Sequence, residues 1–151
     1  MTADRTTTAQ QLKQLLVSSS ALIEEYTAAV CPACTAVCCK QKHGIYKERD
    51  IWYLEALEMP VPPRDTTRPL DGPCEMMGLQ GCALPRWMRP FKCTWYFCEP
   101  LLKALDEGPQ RRARKLSAQL QEMVDLYREL TGIVRENCMI IDGIFRRTPP
   151  R

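Results

Sequence analysis

Residues 31 to 100 carry eight of the chain's nine cysteines and nine of its twelve prolines. The stretch "MPVPPRDTTRPLDGPC", residues 59 to 74, cannot continue a helix, because proline lacks the amide donor and its ring clashes with the preceding turn. Nor can it form a central strand, where every amide is needed for pairing. Residues 60 to 98 are therefore expected to be mostly loop and short turns. A zone that long needs something other than secondary structure to hold it together. Thiols are the groups present in number.

The cysteines fall into two groups. Cys31, Cys34, Cys38 and Cys39 have the spacing C-x2-C-x3-CC. Cys74, Cys82, Cys93 and Cys98 follow as C-x7-C-x10-C-x4-C. Two cysteines separated by two residues can wrap one metal ion, since a tight turn brings both sulfurs to about 2.3 Å from it. The neighbouring side chains of Cys38 and Cys39 diverge in most backbone conformations. They are expected to face two metals, or one metal and the core. Neither group offers a complete tetrahedral site once this pair is split, so the two groups are expected to converge in space.

Disulfides and redox chemistry are the competing uses of so many thiols. The N-terminus "MTADRTTTAQ" has no basic n-region and no apolar h-region of a secretory signal. No apolar run approaches the roughly 18 residues of a membrane-spanning helix. The expected location is the cytoplasm, with no membrane partner. Thiols stay reduced there, which favours metal ligation over disulfides.

The constellation resembles the YkgJ-type cysteine-cluster proteins, a family described as zinc- or iron-chelating. Its hallmark is CxxCxxCC, followed later by a cysteine, a "GC" cysteine, and "RP" shortly before another cysteine. Here the first motif is "CPACTAVCC" and the second lies within "GPCEMMGLQGCALPRWMRPFKC". The resemblance covers about residues 31 to 98, nearly half the chain. It implies that Cys31, Cys34, Cys38, Cys39, Cys74, Cys82 and Cys93 ligate zinc or iron, with an iron–sulfur cluster as one form. Cys98 joins them on local spacing. One extra residue between Cys34 and Cys38 departs from the family pattern and alters the turn. Arg89 and Pro90 belong to the matched motif, and the arginine is suited to donate to a thiolate sulfur or to fix a loop carbonyl.

Other chemistry-bearing residues have plainer readings. His43 is the only histidine and reads as a surface-loop residue rather than a ligand. Glu48 and Asp50 read as the acidic start of a helix, where negative charge is favourable. Trp87, Phe91, Trp95, Tyr96 and Phe97 interleave with Arg86, Arg89 and Lys92. That mixture can stack on nucleic-acid bases, but around a metal knot it is expected to pack as a local core. Cys138 stands alone at a helix end and reads as a small buried hydrophobe.

The flanks are helical. Leu12, Leu15, Leu16, Leu22, Ile23, Tyr26 and Val30 form an apolar stripe on a helix expected from Thr8 to Val30, with Thr6 to Thr8 as its cap. Glu48 to Met59 and Pro100 to Asp106 are shorter candidates. A long helix is expected from Gln110 to Asn137, with Gly132 inside it and a seam of Leu116, Leu120, Met123, Tyr127, Leu130 and Val134. The seam needs a partner surface, either the N-terminal helix or a second copy; the first is expected. "RRARK" at 111 to 115 reads as a solvated first turn. The expected architecture is one mainly α domain over 1–151: an N-terminal helix (1–30), a cysteine-cluster region (31–100) and a C-terminal helical region (101–151), with the long terminal helices packed together.

Several function classes find no support. One histidine leaves no set of nucleophile, base and orienting group. There is no phosphate-binding loop and no dinucleotide fingerprint. The formal charge of +3 does not indicate a nucleic-acid partner. Eight thiolates and two divalent ions would change that charge by −4, to −1. The leading expectation is a structural or binding module that holds a metal ion, with a protein partner left open and unidentified. An iron–sulfur redox or enzyme component is the alternative, and a nucleic-acid-binding zinc module stands behind it.

Overall fold

The computed structural model describes residues 3–31, 45–63, 65, 67, 74–78, 81–95 and 98–132. In chain order the elements are α1 (Ala3–Val30), α2 (Glu48–Ala56), β1 (Met77–Gly78), β2 (Gly81–Cys82), a 3-10 turn (Arg86–Met88), α3 (Lys92–Trp95), α4 (Glu99–Glu107) and α5 (Gln110–Thr131). The fold is mainly helical, with the long terminal helices packed on each other, as the two apolar stripes require.

Helix α1 buries Ala9, Leu12, Leu16, Ser19, Ile23 and Tyr26, a continuous alternation of three- and four-residue steps. Ser19 sits in this stripe without leaving an orphan hydroxyl, because Oγ donates to the carbonyl of Leu15 at 2.7 Å. Helix α5 answers with Leu116, Leu120, Met123, Tyr127 and Leu130. The seam is thus spent within the chain. Thr8 Oγ1 donates to Glu129 at 3.2 Å, and Arg112 pairs with Glu25 at 2.9 Å. The step from 8 to 25 mirrors the step from 129 to 112, so the helices run antiparallel in one register over about 25 Å.

One end of each long helix differs from expectation. Helix α1 begins at Ala3, and Thr6 to Thr8 lie inside it rather than capping it. Burial of Thr8 and Ala9 outweighs the modest helix propensity of threonine. Helix α5 stops at Thr131, because Gly132 is its C-cap and not an interior residue. Gly132 adopts φ 70°, and its amide closes onto the carbonyl of Arg128 at 2.8 Å. Val134 and Cys138 lie outside the described residues.

The shorter helices complete the core. Pro100 lies in the first turn of α4, which buries Leu101, Leu102 and Leu105 against α1 and α5. Helix α2 ends at Ala56, three residues before the expected Met59, since Glu58 turns left-handed at φ 56°. The amide of Met59 then returns to the carbonyl of Leu54 at 2.9 Å.

Asp50, in the first turn of α2, is 5% exposed. Its Oδ2 accepts the amide of Lys47 at 2.9 Å. Its Oδ1 accepts the amide of Phe91 at 3.0 Å and the hydroxyl of Tyr127 at 2.9 Å. One carboxylate therefore joins α2, α5 and the segment leading to Cys93. Replacing Asp50 with alanine strands two buried donors and one half-buried one, and we expect a loss of about 3 kcal/mol in urea denaturation. Tyr127→Phe removes one of the three and should cost about 1 to 2 kcal/mol. Equal stability of Asp50→Ala and the parent would contradict this role.

Candidate metal centre

The structure places five of the eight predicted ligands. Cys31 directly follows α1, Cys74 precedes β1, Cys82 ends β2, Cys93 lies in α3 and Cys98 is the N-cap of α4. Cys93 is exposed and the other four are half-buried. Cys34, Cys38, Cys39 and His43 lie outside the described residues. Among the described residues no disulfide joins two cysteines, and no three of the histidine, cysteine and acidic side chains form a metal-holding group.

Cys74 and Cys82 belong to one small unit. The amide of Met77 donates to the carbonyl of Cys74 at 3.0 Å, and Met77 pairs across the antiparallel ladder with Cys82. The amide of Ala83 closes onto the carbonyl of Met76 at 2.7 Å. Gly81 adopts φ 105°, a conformation that a side chain would oppose. This strand pair falls within the zone expected to be mostly loop and short turns. Its two-residue strands are too short to carry an apolar period.

The segment from Leu84 to Cys93 is tied to the helices at many points. Tyr46 Oη donates to the carbonyl of Met88 at 2.6 Å, and Tyr53 Oη to that of Trp87 at 3.1 Å. The Phe91 ring stacks on Tyr127 at 4.2 Å between centroids and 13° between planes. Lys13 Nζ lies 4.1 Å from the Trp87 ring centre. These two rings thus pack locally, as expected, rather than forming an open platform for bases. The Trp95 side chain, Tyr96 and Phe97 lie outside the description. Burial raises the phenol pKa of Tyr53, and burial followed by the charge of Asp50 raises that of Tyr127. Both hydroxyls therefore stay protonated at neutral pH and able to donate.

Two arginines complete the attachment. Arg86 Nε donates to Ser20 Oγ and its Nη2 to Glu24 Oε1, each at 3.2 Å. Arg89 Nε donates to the carbonyl of Leu84 at 2.9 Å, the loop-fixing one of the two roles its motif suits. Its Nη2 lies 3.6 Å from the same Glu24 oxygen. Ser20 and Glu24 share one face of α1, being four residues apart. One polar network thus links α1 to the segment between Cys82 and Cys93. Burial lowers the Arg86 pKa, as does Arg89, while Glu24 and Cys93 oppose that shift.

Asp50 was legible as a helix-start acid but not as a junction of three elements. Glu24, Arg86, Tyr46 and Tyr53 were missed as anchors. Their partners are 34 to 66 positions away, and no local spacing signals such a contact. All-thiol donors suit a thiophilic metal, and the described sulfurs are unbridged by disulfides and, Cys93 apart, half-buried.

No protein-family model matches the chain, and no curated protein or solved structure is significantly similar to it.

The anchoring makes a specific prediction for metal removal. The amides of Met77 and Ala83 bond only within the small Cys74–Cys82 unit, whereas that of Phe91 ends on buried Asp50. Hydrogen exchange after chelation should show Met77 and Ala83 losing protection, with Phe91 and the α1–α5 core retaining theirs. Unchanged protection of Met77 and Ala83 would mean that metal does not organise this region.

Proposed function

We propose that this chain is a metal-binding module that holds zinc or iron through clustered cysteine thiolates, for a structural or binding role. The observation that carries the reading is the concentration of eight cysteines between residues 31 and 98. The tethering of their second group to a helical scaffold supports it. Cys31, Cys34, Cys38, Cys39, Cys74, Cys82, Cys93 and Cys98 are the proposed ligands. Such a centre would supply cross-links where proline-rich sequence cannot build a core. The chain's own residues position the arms: Asp50, Tyr46 and Tyr53 hold the backbone before Cys93, and Arg89 fixes the turn after Cys82. A reducing compartment such as the cytoplasm suits these thiols. Among the described residues, no helix is long and apolar enough to cross a membrane.

An iron–sulfur redox component is the second reading, favoured by the vicinal pair Cys38-Cys39 and the all-sulfur donor set. Metal analysis of anaerobically purified protein, with its visible spectrum, separates the two. Stoichiometric zinc and a colourless sample are expected for the structural module. Iron with sulfide and a brown sample would assign the cluster. Cys34→Ser and Cys82→Ser should each lower affinity about 10-fold or more, because a hydroxyl is a poorer ligand for these metals than a thiolate. Protein lacking both metals, and binding neither when reconstituted, would overturn the reading.

A further inference from the structure

The apolar seam of α5 is taken up by α1, but the opposite face of α5 carries a pattern of its own. Arg111, Lys115, Ala118, Glu122, Asp125 and Glu129 are all exposed. They follow one another at steps of 4, 3, 4, 3 and 4, so they form one stripe along the helix. The N-terminal half of the stripe is basic and the C-terminal half is acidic. That order is unfavourable for the helix itself. Positive charge is disfavoured at a helix N-terminus and negative charge at its C-terminus, and the first turn of α5 holds no acidic residue. Neighbours on the stripe also repel: Arg111 and Lys115 are alike in charge, as are Glu122 and Asp125, and Asp125 and Glu129. Little within the chain offsets this. Gln121 donates to Asp125 at 2.8 Å and Thr8 to Glu129 at 3.2 Å, and both donors are neutral. Among the described residues, none of the five charged side chains of the stripe forms an ion pair.

The stripe is complementary to its own reversal. Residues equally distant from Leu120 are Arg111 and Glu129, Lys115 and Asp125, and Ala118 and Glu122. A second α5 laid antiparallel across this face therefore sets opposite charges against each other near both ends, and a two-fold axis repeats every such contact. Each basic N-terminal end then lies beside an acidic C-terminal end, where the macrodipoles also attract. Ala118 lies within one turn of the axis, and a small side chain there lets two helices approach.

We propose that this face of α5 is a self-association surface, on which a second copy of the chain docks antiparallel about Leu120. The proposal is independent of the metal-binding reading. A contact through one helix face is smaller than a standard stable interface, and exposed ion pairs are individually weak. The dimer is therefore a weak one, held by charge.

Sedimentation equilibrium of the full chain tests this, in reducing buffer so that no disulfide joins two copies. A reversible dimer is expected at low ionic strength. It should dissociate in about 1 M salt, where the screening length is about 3 Å. Lys115→Glu and Asp125→Lys should each weaken self-association about 10-fold or more, because each sets two like-charged pairs across the axis. Neither should unfold the monomer, since each removes a like-charge spacing within its own helix. Far-UV circular dichroism checks this; should either variant misfold, Arg111→Glu with Glu129→Lys makes the same test. An equimolar mixture of the two reversals should recover the parent's association, because the cross-axis pairs are then opposite in charge again. A parent that stays monomeric at low salt and about 1 mM protein would overturn the proposal. So would a dimer that neither reversal weakens, which would use another surface. Reversals whose mixture fails to recover association would equally overturn it.

Discussion

The three hydrogen bonds accepted by Asp50 are the constraint on which the rest of the arrangement depends. The α1–α5 pair makes a core by apolar complementarity, but apolar contact alone does not dictate where a proline-rich segment lands on that core. The Asp50 carboxylate does so, because its donors come from its own helix, from α5 and from the backbone of Phe91. Leaving any of them buried and unbonded is expensive. The position of Phe91 fixes the start of α3, and with it Cys93. Its stacking on Tyr127 then adds apolar contact at the same junction.

A second layer of polar contacts acts on the opposite side of the segment. Arg86 reaches into α1, while Arg89 spans from Glu24 to the turn that follows Cys82. The scaffold therefore holds two of the cysteine arms from separate helices. Pre-positioning of this kind lowers the ordering cost of closing a metal site, since fewer backbone torsions remain to be fixed.

The helical pair was legible in the sequence because its signal is local and repeated. The step from Leu12 to Leu16, Ile23 and Tyr26, and that from Leu116 to Leu120, Met123 and Tyr127, each describe one face without reference to any other element. Their ends were harder to read. Thr6 to Thr8 look like a cap, yet contact with α5 carries the helix through them. Gly132 looks tolerable inside a helix, yet its left-handed conformation closes one. Of the candidate site, the sequence showed the clustered cysteines and left carbonyl fixing as one of two roles for Arg89. The anchors were not legible, because Asp50 meets Tyr127 across 77 positions and Arg86 meets Glu24 across 62. Contacts of that range depend on the fold and leave no periodic trace. The brief pairing of Met77 with Cys82 is similarly silent, being too short to show alternation.

On the proposed reading, cysteine sulfurs held on this helical scaffold form the immediate environment of a bound metal. X-ray absorption at the edge of whichever metal the natively purified protein contains tests it most directly. The account predicts a first coordination shell of sulfur alone, near 2.3 Å. A shell dominated by nitrogen or oxygen would contradict it, and would move the site away from the clustered cysteines.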